Sequence, residues 1–338
     1  MSIEIFFSIL SFVLAFFVSL GLTKWWITLS KEHKEMLQPD MNKYKSKPTI
    51  SKAGGLAVTI AITLSVLVYI FFKTFILHSP THEVEVLSIT ITLLLACFIG
   101  FIDDIFGWGK SAITGYKKIL MTIPIAIPLM VINAGQSAMA LPFLGTIDFG
   151  IIYPLVIVPL AIIGTTNGFN LLAGFNGMEA GLGVVAFAGL GVIAYLTSQL
   201  WLVLIAGIII SALLGFLIFN KNPAKIFPGN TLTYILGGLF GSLAIIGNME
   251  KPALIIFIPF ILEGFLKLRS RFKAWNFGIP NKDNSLEPRY KKNYSLTHIA
   301  LRVLKKIKPS RKVYENDITF FIILLEIILI AIAVVLAV

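Results

Sequence analysis

Leu200-Trp-Leu-Val-Leu-Ile-Ala-Gly-Ile-Ile-Ile-Ser-Ala-Leu-Leu-Gly-Phe-Leu-Ile-Phe219 runs for twenty residues without a charge. As an α-helix it rises about 30 Å, the thickness of a bilayer's hydrocarbon core. The rest of the chain is of the same kind. Of its 338 residues 57% are hydrophobic and 13% charged, and the mean hydropathy is +0.89. Soluble domains hold roughly 45–50% apolar and about 25% charged residues, because a polar coat must cover their surface. The composition therefore excludes an ordinary cytosolic enzyme, a disordered chain and a protein that reads nucleic acid from solution. The one cysteine, Cys97, lies inside an apolar run, which excludes a disulfide framework and a Cys-based metal site. Cys97 reads as packed or lipid-facing filler.

Outward from this run, nine further apolar segments centre on 3–22, 56–76, 86–102, 119–132, 151–163, 181–196, 232–246, 253–266 and 318–338. The expected fold is an all-α integral membrane protein, one domain over residues 1–338, with about ten transmembrane helices. Pro124 and Pro128 in the fourth segment, and Pro154 and Pro159 in the fifth, predict kinks that neighbouring helices can satisfy. The first segment lacks the basic start and the cleavage site of a signal peptide, and is read as helix one.

Lys and Arg sort with this count. Seven lie in 24–52, three in 103–118, two in 219–230 and fourteen in 267–317, so 26 of 28 fall on one side of ten alternating spans. Lys73 and Lys251 are left on the other side. By the positive-inside rule the basic loops face the cytoplasm and both termini lie outside. Trp25, Trp26, Trp108 and Trp201 fall near predicted helix ends, where indoles favour the interface. In the long basic loop 267–317, the pattern predicts an amphipathic helix over 295–308, with Ser295 as its cap. Its Arg302, Lys305, Lys306 and Lys308 suit an anionic leaflet; packing on the protein itself is the alternative. His298 on this helix reads as an ordinary interfacial histidine.

Three of the basic-side segments are unusual for connectors. Phe98-Ile-Gly-Phe-Ile-Asp103-Asp104-Ile-Phe-Gly107 ends an apolar helix on two adjacent carboxylates. Ionisable groups there are costly and usually functional. Their mutual repulsion calls for a divalent cation, or for a lysine such as Lys117 or Lys118. The second segment, Gly164 to Gly181, carries Asn167, Asn170 and Asn176 among glycines. Carboxamides offer oxygens to Mg²⁺ and both donors and acceptors to a base or sugar; a polar helix seam is the alternative. The third, Phe227-Pro-Gly-Asn230-Thr231, opens a helix. Its amides suit an anion, and Asn230 or Thr231 would serve as plain N-caps. Arg269, Arg271 and Lys273 follow helix nine at alternating positions, as a pyrophosphate clamp or as interface anchors.

The run Thr166-Asn-Gly-Phe-Asn-Leu-Leu-Ala-Gly-Phe-Asn-Gly-Met-Glu-Ala-Gly181 closely resembles the signature of polyprenyl-phosphate N-acetylhexosamine-1-phosphate transferases. It is most similar to their dolichyl-phosphate branch in eukaryotes and archaea, which uses UDP-GlcNAc. Bacterial branches usually carry Asp where Ala173 and Asn176 stand. Asp103-Asp104 resembles the family's paired aspartates, and Phe227 to Thr231 its Gly-Asp-Thr segment. The resemblance implies a ten-helix fold with a cytoplasmic active site. It implies Mg²⁺, with Mn²⁺ as a substitute, held by Asn170 and Asn230. It also implies that Asn176, with Gly174 and Phe227, holds the uracil of UDP-GlcNAc, and that Lys118 faces the lipid phosphate beside catalytic Asp103 and Asp104. Asn167 and Glu179 complete the candidate substrate set, and Arg269, Arg271 and Lys273 stand where the family cradles pyrophosphate and sugar. The other partners are a polyprenyl (dolichyl) phosphate and membrane lipids; a homodimer is compatible, and nucleic acid is not expected. Two departures stand out: Asn230 replaces the family's second metal aspartate, and the last loop lacks the His-rich pattern of relatives.

In the implied reaction a polyprenyl phosphate attacks the β-phosphorus of UDP-GlcNAc and UMP leaves. Two other readings compete. A secondary transporter would place its charges near the bilayer midplane, whereas here polar residues cluster at one face. A bacterial-type undecaprenyl-phosphate sugar-1-phosphate transferase is the nearer alternative, and the run from Ala173 to Gly181 argues against it.

Overall fold

The computed structural model describes residues 3–44, 47–106, 116–141 and 145–337. The helices, in order, are α1 (Ile3–Ser30), α2 (Gly55–Phe75), α3 (Glu83–Phe106), α4 (Tyr116–Thr122), α5 (Ile127–Val131), α6 (Val158–Leu171) and α7 (Met178–Leu196). They continue with α8 (Leu200–Asn220), α9 (Gly229–Ile246), α10 (Glu250–Ile256), α11 (Ile258–Leu268), α12 (Leu296–Ile307) and α13 (Glu315–Ala337). Among the described residues eight helices are long and apolar enough to cross a membrane: α1, α2, α3, α6 with the turn before it, α7, α8, α9 and α13. The chain is a mostly helical, multi-pass membrane protein.

Two of the ten expected spans are not continuous helices, and proline is the reason. Segment 119–132 divides into α4, a 3₁₀ turn over Ile123–Ala126 and α5, with Pro124 and Pro128 at the starts of the last two pieces. Segment 253–266 falls into α10 and α11, broken at Phe257, with Pro259 at the start of α11. A proline has no N–H to donate and its ring displaces the preceding turn, so each piece begins afresh. The expected kinks took in Pro124 and Pro128 but not Pro259. In the fifth segment Pro154 lies in a π-helical turn, Tyr153–Ile157, that leads into α6, where Pro159 sits in the first turn.

The core is centred on α9, which is buried along nearly its whole length. Membrane helices gain little from the hydrophobic effect and pack through close backbone approach at small residues. A Cβ at Gly100 of α3 would lie 2.7 Å from the Asn230 carbonyl oxygen of α9. One at Gly237 of α9 would lie 2.3 Å from the Thr165 carbonyl oxygen of α6. Cys97 is buried in this packing.

At one end of the bundle the ends of α1, α3, α6, α8 and α11 meet the starts of α2, α7, α9 and α13. The segment 24–52, read from sequence only as a basic loop, is structured here. α1 runs on to Ser30 past Trp25 and Trp26, and the Trp26 indole donates to the Lys52 carbonyl at 2.8 Å. Strands β1 (Leu37–Pro39) and β2 (Thr49–Ser51) then pair antiparallel, Leu37 opposite Ser51. The hairpin is stitched to the approach to α9: Phe227 N donates to Ser51 O at 2.7 Å and Gly54 N to Phe227 O at 3.0 Å. Two further hairpins, β3 (Ala138–Leu141) with β4 (Gly145–Asp148) and β5 (Ile279–Pro280) with β6 (Leu286–Glu287), lie in connections. Trp108 falls outside the described residues.

The amphipathic helix of the long loop is α12. Ser295 caps it, accepting from Thr297 N, and the Glu263 carboxylate of α11 accepts from Leu296 N at 2.6 Å. Its first half packs on the protein through Leu296, Ala300 and Leu301, while Ile307 is exposed. His298 is not an open interfacial residue as expected. It is buried, accepts from Tyr294 N at Nδ1, and contacts the Trp275 carbonyl at Nε2.

Burial, with the nearby Lys267, Arg302 and Arg289 charges, lowers the His298 pKa from 6.5 to about 4. The unfolded chain therefore takes up a proton at higher pH than the folded one. This stabilisation is complete above pH 6.5 and is lost as the pH falls towards 4. Solvent screening limits the effect to about 1–2 kcal/mol. Thermal unfolding in detergent should show wild type losing more stability than His298→Gln between pH 6.5 and 4. Parallel curves would exclude this role for His298.

Candidate active site

The acid pair and the third polar segment, read separately in the sequence, are one structure. Asp104, near the end of α3, accepts from Asn230 N at 2.7 Å, Thr231 N at 2.9 Å and Thr231 Oγ1 at 2.5 Å. The anion at the start of α9 is thus the protein's own carboxylate, which satisfies orphan amides and the helix dipole together. Neither Asn230 nor Thr231 caps the helix by its own side chain; Pro228 holds the N-cap position. Glycine is required at 229 on two counts. Its φ is +71°, and a Cβ there would lie 2.2 Å from Asp104 Oδ2.

Asp103 faces differently. Its Oδ2 accepts from Lys118 Nζ at 2.8 Å and from the Tyr234 hydroxyl at 2.9 Å. Its Oδ1 is buried and has no hydrogen-bond partner among the described residues. The expected lysine, Lys118, neutralises the pair. A second cation, which the sequence reading left in the basic loop, is Lys52: buried, it donates to the Asp104 carbonyl at 2.6 Å. Burial pushes the Lys52 ammonium below its usual pKa, and the Asp104 charge pulls it back up.

Asp104 opens onto a cavity at the end of the bundle. Asn170, Asn230 and Thr233 share its wall. Asn170 Nδ2 donates to Asn230 Oδ1 at 2.5 Å and to Thr233 Oγ1 at 2.9 Å. Gly174, Glu179, Phe227 and the hairpin residues Gln38 and Asp40 also line the cavity. Gly174 adopts φ +115°, and its N–H donates to Glu179 Oε1 at 2.7 Å. Its missing side chain leaves room for the Phe277 ring, 2.8 Å from where a Cβ would be. A second cavity adjoins the first across Met41, Asn170, Ala173 and Phe277, and adds Lys267, Phe272 and Trp275. Lys267 Nζ donates to the Ala274 carbonyl at 2.7 Å and lies 3.9 Å from Glu263.

Of the residues singled out in the sequence, Asp104, Asn170, Gly174, Glu179, Phe227 and Asn230 are thus brought to one cavity. Asp103 and Lys118 stand beside it as a pair. Asn167 is not in the lining: its amide ties α6 to α4, donating to Thr122 Oγ1 at 3.0 Å and to Ile163 O at 2.9 Å. Asn176 is buried outside the lining, bound to Asp40 and Glu315. Arg269, Arg271 and Lys273 are exposed and line neither cavity, because the chain turns at the end of α11. Only their neighbours Lys267 and Phe272 reach the second one. The sequence reading missed Gln38, Asp40, Lys52, Thr233, Lys267 and Phe277. For Lys52, Thr233 and Lys267 the available signal was a polar residue at the edge of an apolar span; Gln38, Asp40 and Phe277 carried none.

The donor set can be tested against the implied Mg²⁺. Among the described residues no group of three or more His, Cys, Asp or Glu side chains could hold a metal. Asp104, Asn170 and Asn230 instead offer side-chain oxygens in the cavity lining, and Asp103 Oδ1, beside it, lacks a partner. A hard divalent cation takes oxygen ligands of this kind and keeps several waters, so these residues fit it.

A membrane bundle with a cation-flanked acidic cavity at one end has the frame of a membrane enzyme. Residues 86–248 match the family model described as glycosyl transferase family 4. A protein of Saccharolobus solfataricus, provisionally named a UDP-N-acetylglucosamine–dolichyl-phosphate N-acetylglucosaminephosphotransferase, is 36% identical over 304 residues, covering 87% of this chain and 88% of the relative. A protein of Sulfolobus acidocaldarius with the same provisional name is 34% identical over 299 residues, covering 88% of each. A phospho-N-acetylmuramoyl-pentapeptide-transferase of Listeria monocytogenes is 31% identical over 235 residues, covering 67% of this chain and 69% of the relative. The chain belongs to glycosyl transferase family 4; it is a multi-pass membrane transferase.

Proposed function

We propose that this protein transfers GlcNAc-1-phosphate from UDP-GlcNAc to a polyprenyl phosphate of the dolichyl type, forming GlcNAc-diphosphate-polyprenol and UMP. The observation that carries this reading is the junction of α3 and α9. It sets Asp104 into the same cavity as Asn170, Gly174 and Phe227, with the Asp103–Lys118 pair alongside. The names of the two archaeal relatives support the same substrates.

In this reaction an oxygen of the lipid phosphate bonds to the β-phosphorus, and the bond to the UMP oxygen breaks. A phosphomonoester with a second pKa near 6 is already largely ionised at neutral pH. A strong base is therefore unnecessary; the work is screening of like charges and positioning. Lys118 meets the lipid phosphate, and Asp103, which also holds the Tyr234 hydroxyl, orients that ammonium. Asp103, Asp104, Asn170 and Asn230 would hold Mg²⁺, which when bound offsets the charge of the pyrophosphate. Gly174 and Phe227 flank the base. Lys267, in the second cavity, supplies the positive charge that the resemblance assigned to Arg269, Arg271 and Lys273.

The reading predicts that purified protein with Mg²⁺, dolichyl phosphate and a panel of UDP-sugars makes UMP only when UDP-GlcNAc and the lipid are both present. UMP formation without the lipid would overturn it. The cavity faces the cytoplasm in this reading, and both termini lie outside. In a Cys97→Ala background, Lys292→Cys should react with an impermeant reagent only in inverted vesicles, and Lys73→Cys only in right-side-out ones. Labelling of position 292 from the outside would reverse the assignment.

A further inference from the structure

Six polar side chains from four separate segments meet under the loop that follows α6. Asp40, Asn42 and Lys43 come from the turn after β1, Asn176 from the loop, Asn222 from the end of α8, and Glu315 is the first residue of α13. The Glu315 carboxylate is their hub. Its Oε1 accepts from Asn176 N at 2.7 Å and Asn42 Nδ2 at 3.1 Å. Its Oε2 accepts from Lys43 Nζ at 2.7 Å and Asn176 Nδ2 at 3.4 Å. The same Asn42 amide donates to the Gly174 carbonyl at 3.1 Å, and the Asn176 amide donates to Asp40 Oδ2 at 3.2 Å. Asp40 and Gly174 line the cavity, whereas Glu315 does not.

We propose that Glu315 is a positioning residue for the transfer: without touching substrate, it holds the Asp40 and Gly174 walls of the nucleotide cavity in fixed relation. The inference rests on the functional reading above. Three features point to it. The two walls belong to loops, which by themselves are mobile. Gly174 sits at φ +115°, which glycine reaches without strain, so its place depends on contacts such as the Asn42 amide on its carbonyl. And α13 is otherwise peripheral, with Ile318, Ile322, Glu326 and Ala333 its only other buried residues. A peripheral helix needs no buried charge at its start for its own sake. An acid in the first turn does favour any helix, but Asp317 already provides one, exposed enough to pair with Lys308 at 2.6 Å. Charge-assisted hydrogen bonds from several segments to one carboxylate set geometry more firmly than neutral ones.

The test compares Glu315→Gln, Asn42→Ala, Asp317→Asn and the double variant Glu315→Gln with Lys43→Gln, in detergent-purified full-length protein. Glu315→Gln keeps one acceptor oxygen but turns an amide on the Lys43 ammonium. It should raise KM for UDP-GlcNAc about tenfold and change kcat by less than about threefold, the signature of lost binding geometry. KM for the lipid phosphate should stay as it is. The double variant removes the ammonium that faces the new amide, and should recover part of the loss; Lys43 also donates to Asn222 at 3.0 Å and lies 3.8 Å from Asp40, so the recovery is incomplete. Asn42→Ala, milder for folding, should raise the same KM several-fold, and Asp317→Asn should not. Unchanged KM in Glu315→Gln and Asn42→Ala, with only a lower melting temperature, would reduce the network to a structural one. An equal rise in both substrates' KM, or the same rise in Asp317→Asn, would also overturn the proposal. If wild type itself neither turns over UDP-GlcNAc nor binds UMP, the functional reading fails first and the proposal with it.

Discussion

Asp103→Asn is expected to lower the transfer rate about 10²-fold, equivalent to ~3 kcal/mol of transition-state stabilisation, while the bundle stays folded. The structure separates the two acids in this respect. Asp103 has two partners, Lys118 and the Tyr234 hydroxyl, and an asparagine can still accept from Tyr234. The lost charge frees Lys118, which is partly exposed and can be solvated. Asp104→Asn is different. Its carboxylate accepts from three donors at the start of α9, and an amide NH₂ turned towards them leaves at least one buried donor unpaired. That variant should lose both activity and thermal stability. Turnover rates and melting temperatures of the two proteins decide the matter. Near-normal turnover in Asp103→Asn would remove Asp103 from catalysis, and near-normal turnover in both variants would remove the acid pair.

The second large effect concerns Asn230, where relatives of the resembled family carry an aspartate. Asn230 serves Asp104 through its backbone N–H, and its side-chain oxygen accepts from Asn170. Changes to the side chain therefore spare the α3–α9 junction and report on the oxygen alone. A site with one negative charge fewer binds Mg²⁺ more weakly before substrate arrives, and leans on the substrate phosphates for ligands. Asn230→Asp should keep activity and lower the Mg²⁺ concentration for half-maximal rate. Asn230→Ala should raise that concentration at least about tenfold, or abolish turnover. If the Asn230 side chain has no part in holding the metal, directly or through Asn170, the Mg²⁺ curves of the three proteins will superimpose.

Much of the fold was legible because a bilayer leaves few choices. Twenty apolar residues must be a helix there, since every backbone group has to find its partner within the segment. Leu200–Asn220 is the plainest case, and the runs on either side of it followed. Interrupted spans were harder. Pro124 and Pro128 gave the fourth segment away as a pair, but Pro259 stands in an otherwise apolar stretch, and the break it causes at Phe257 was passed over. The hairpin over Leu37–Ser51 escaped notice because its strands are three residues long and its lysines satisfied a simpler explanation.

The site divides the same way. Asp103, Asp104, Asn170 and Asn230 were legible as polar residues where apolar helices begin or end. Their division of labour was not, since it depends on contacts such as Asp104 with Thr231 and Asn176 with Glu315, far apart in sequence. Asn176 shows the limit well. The resemblance implied a direct part in holding the base, but the Asn176 side chain is buried against Asp40 and Glu315 and does not line the cavity. Arg269, Arg271 and Lys273 show the converse: a cluster of charge in sequence that the turn after α11 spreads over the surface, while Lys267 reaches the second cavity.

The most direct test follows the β-phosphate. UDP-GlcNAc radiolabelled at that position is incubated with purified protein, Mg²⁺ and dolichyl phosphate, and the lipid and nucleotide products are separated. Transfer of GlcNAc-1-phosphate moves the label into the lipid as a diphosphate and leaves unlabelled UMP, in equal amounts. Label retained in UDP, with the sugar alone on the lipid, would contradict the account.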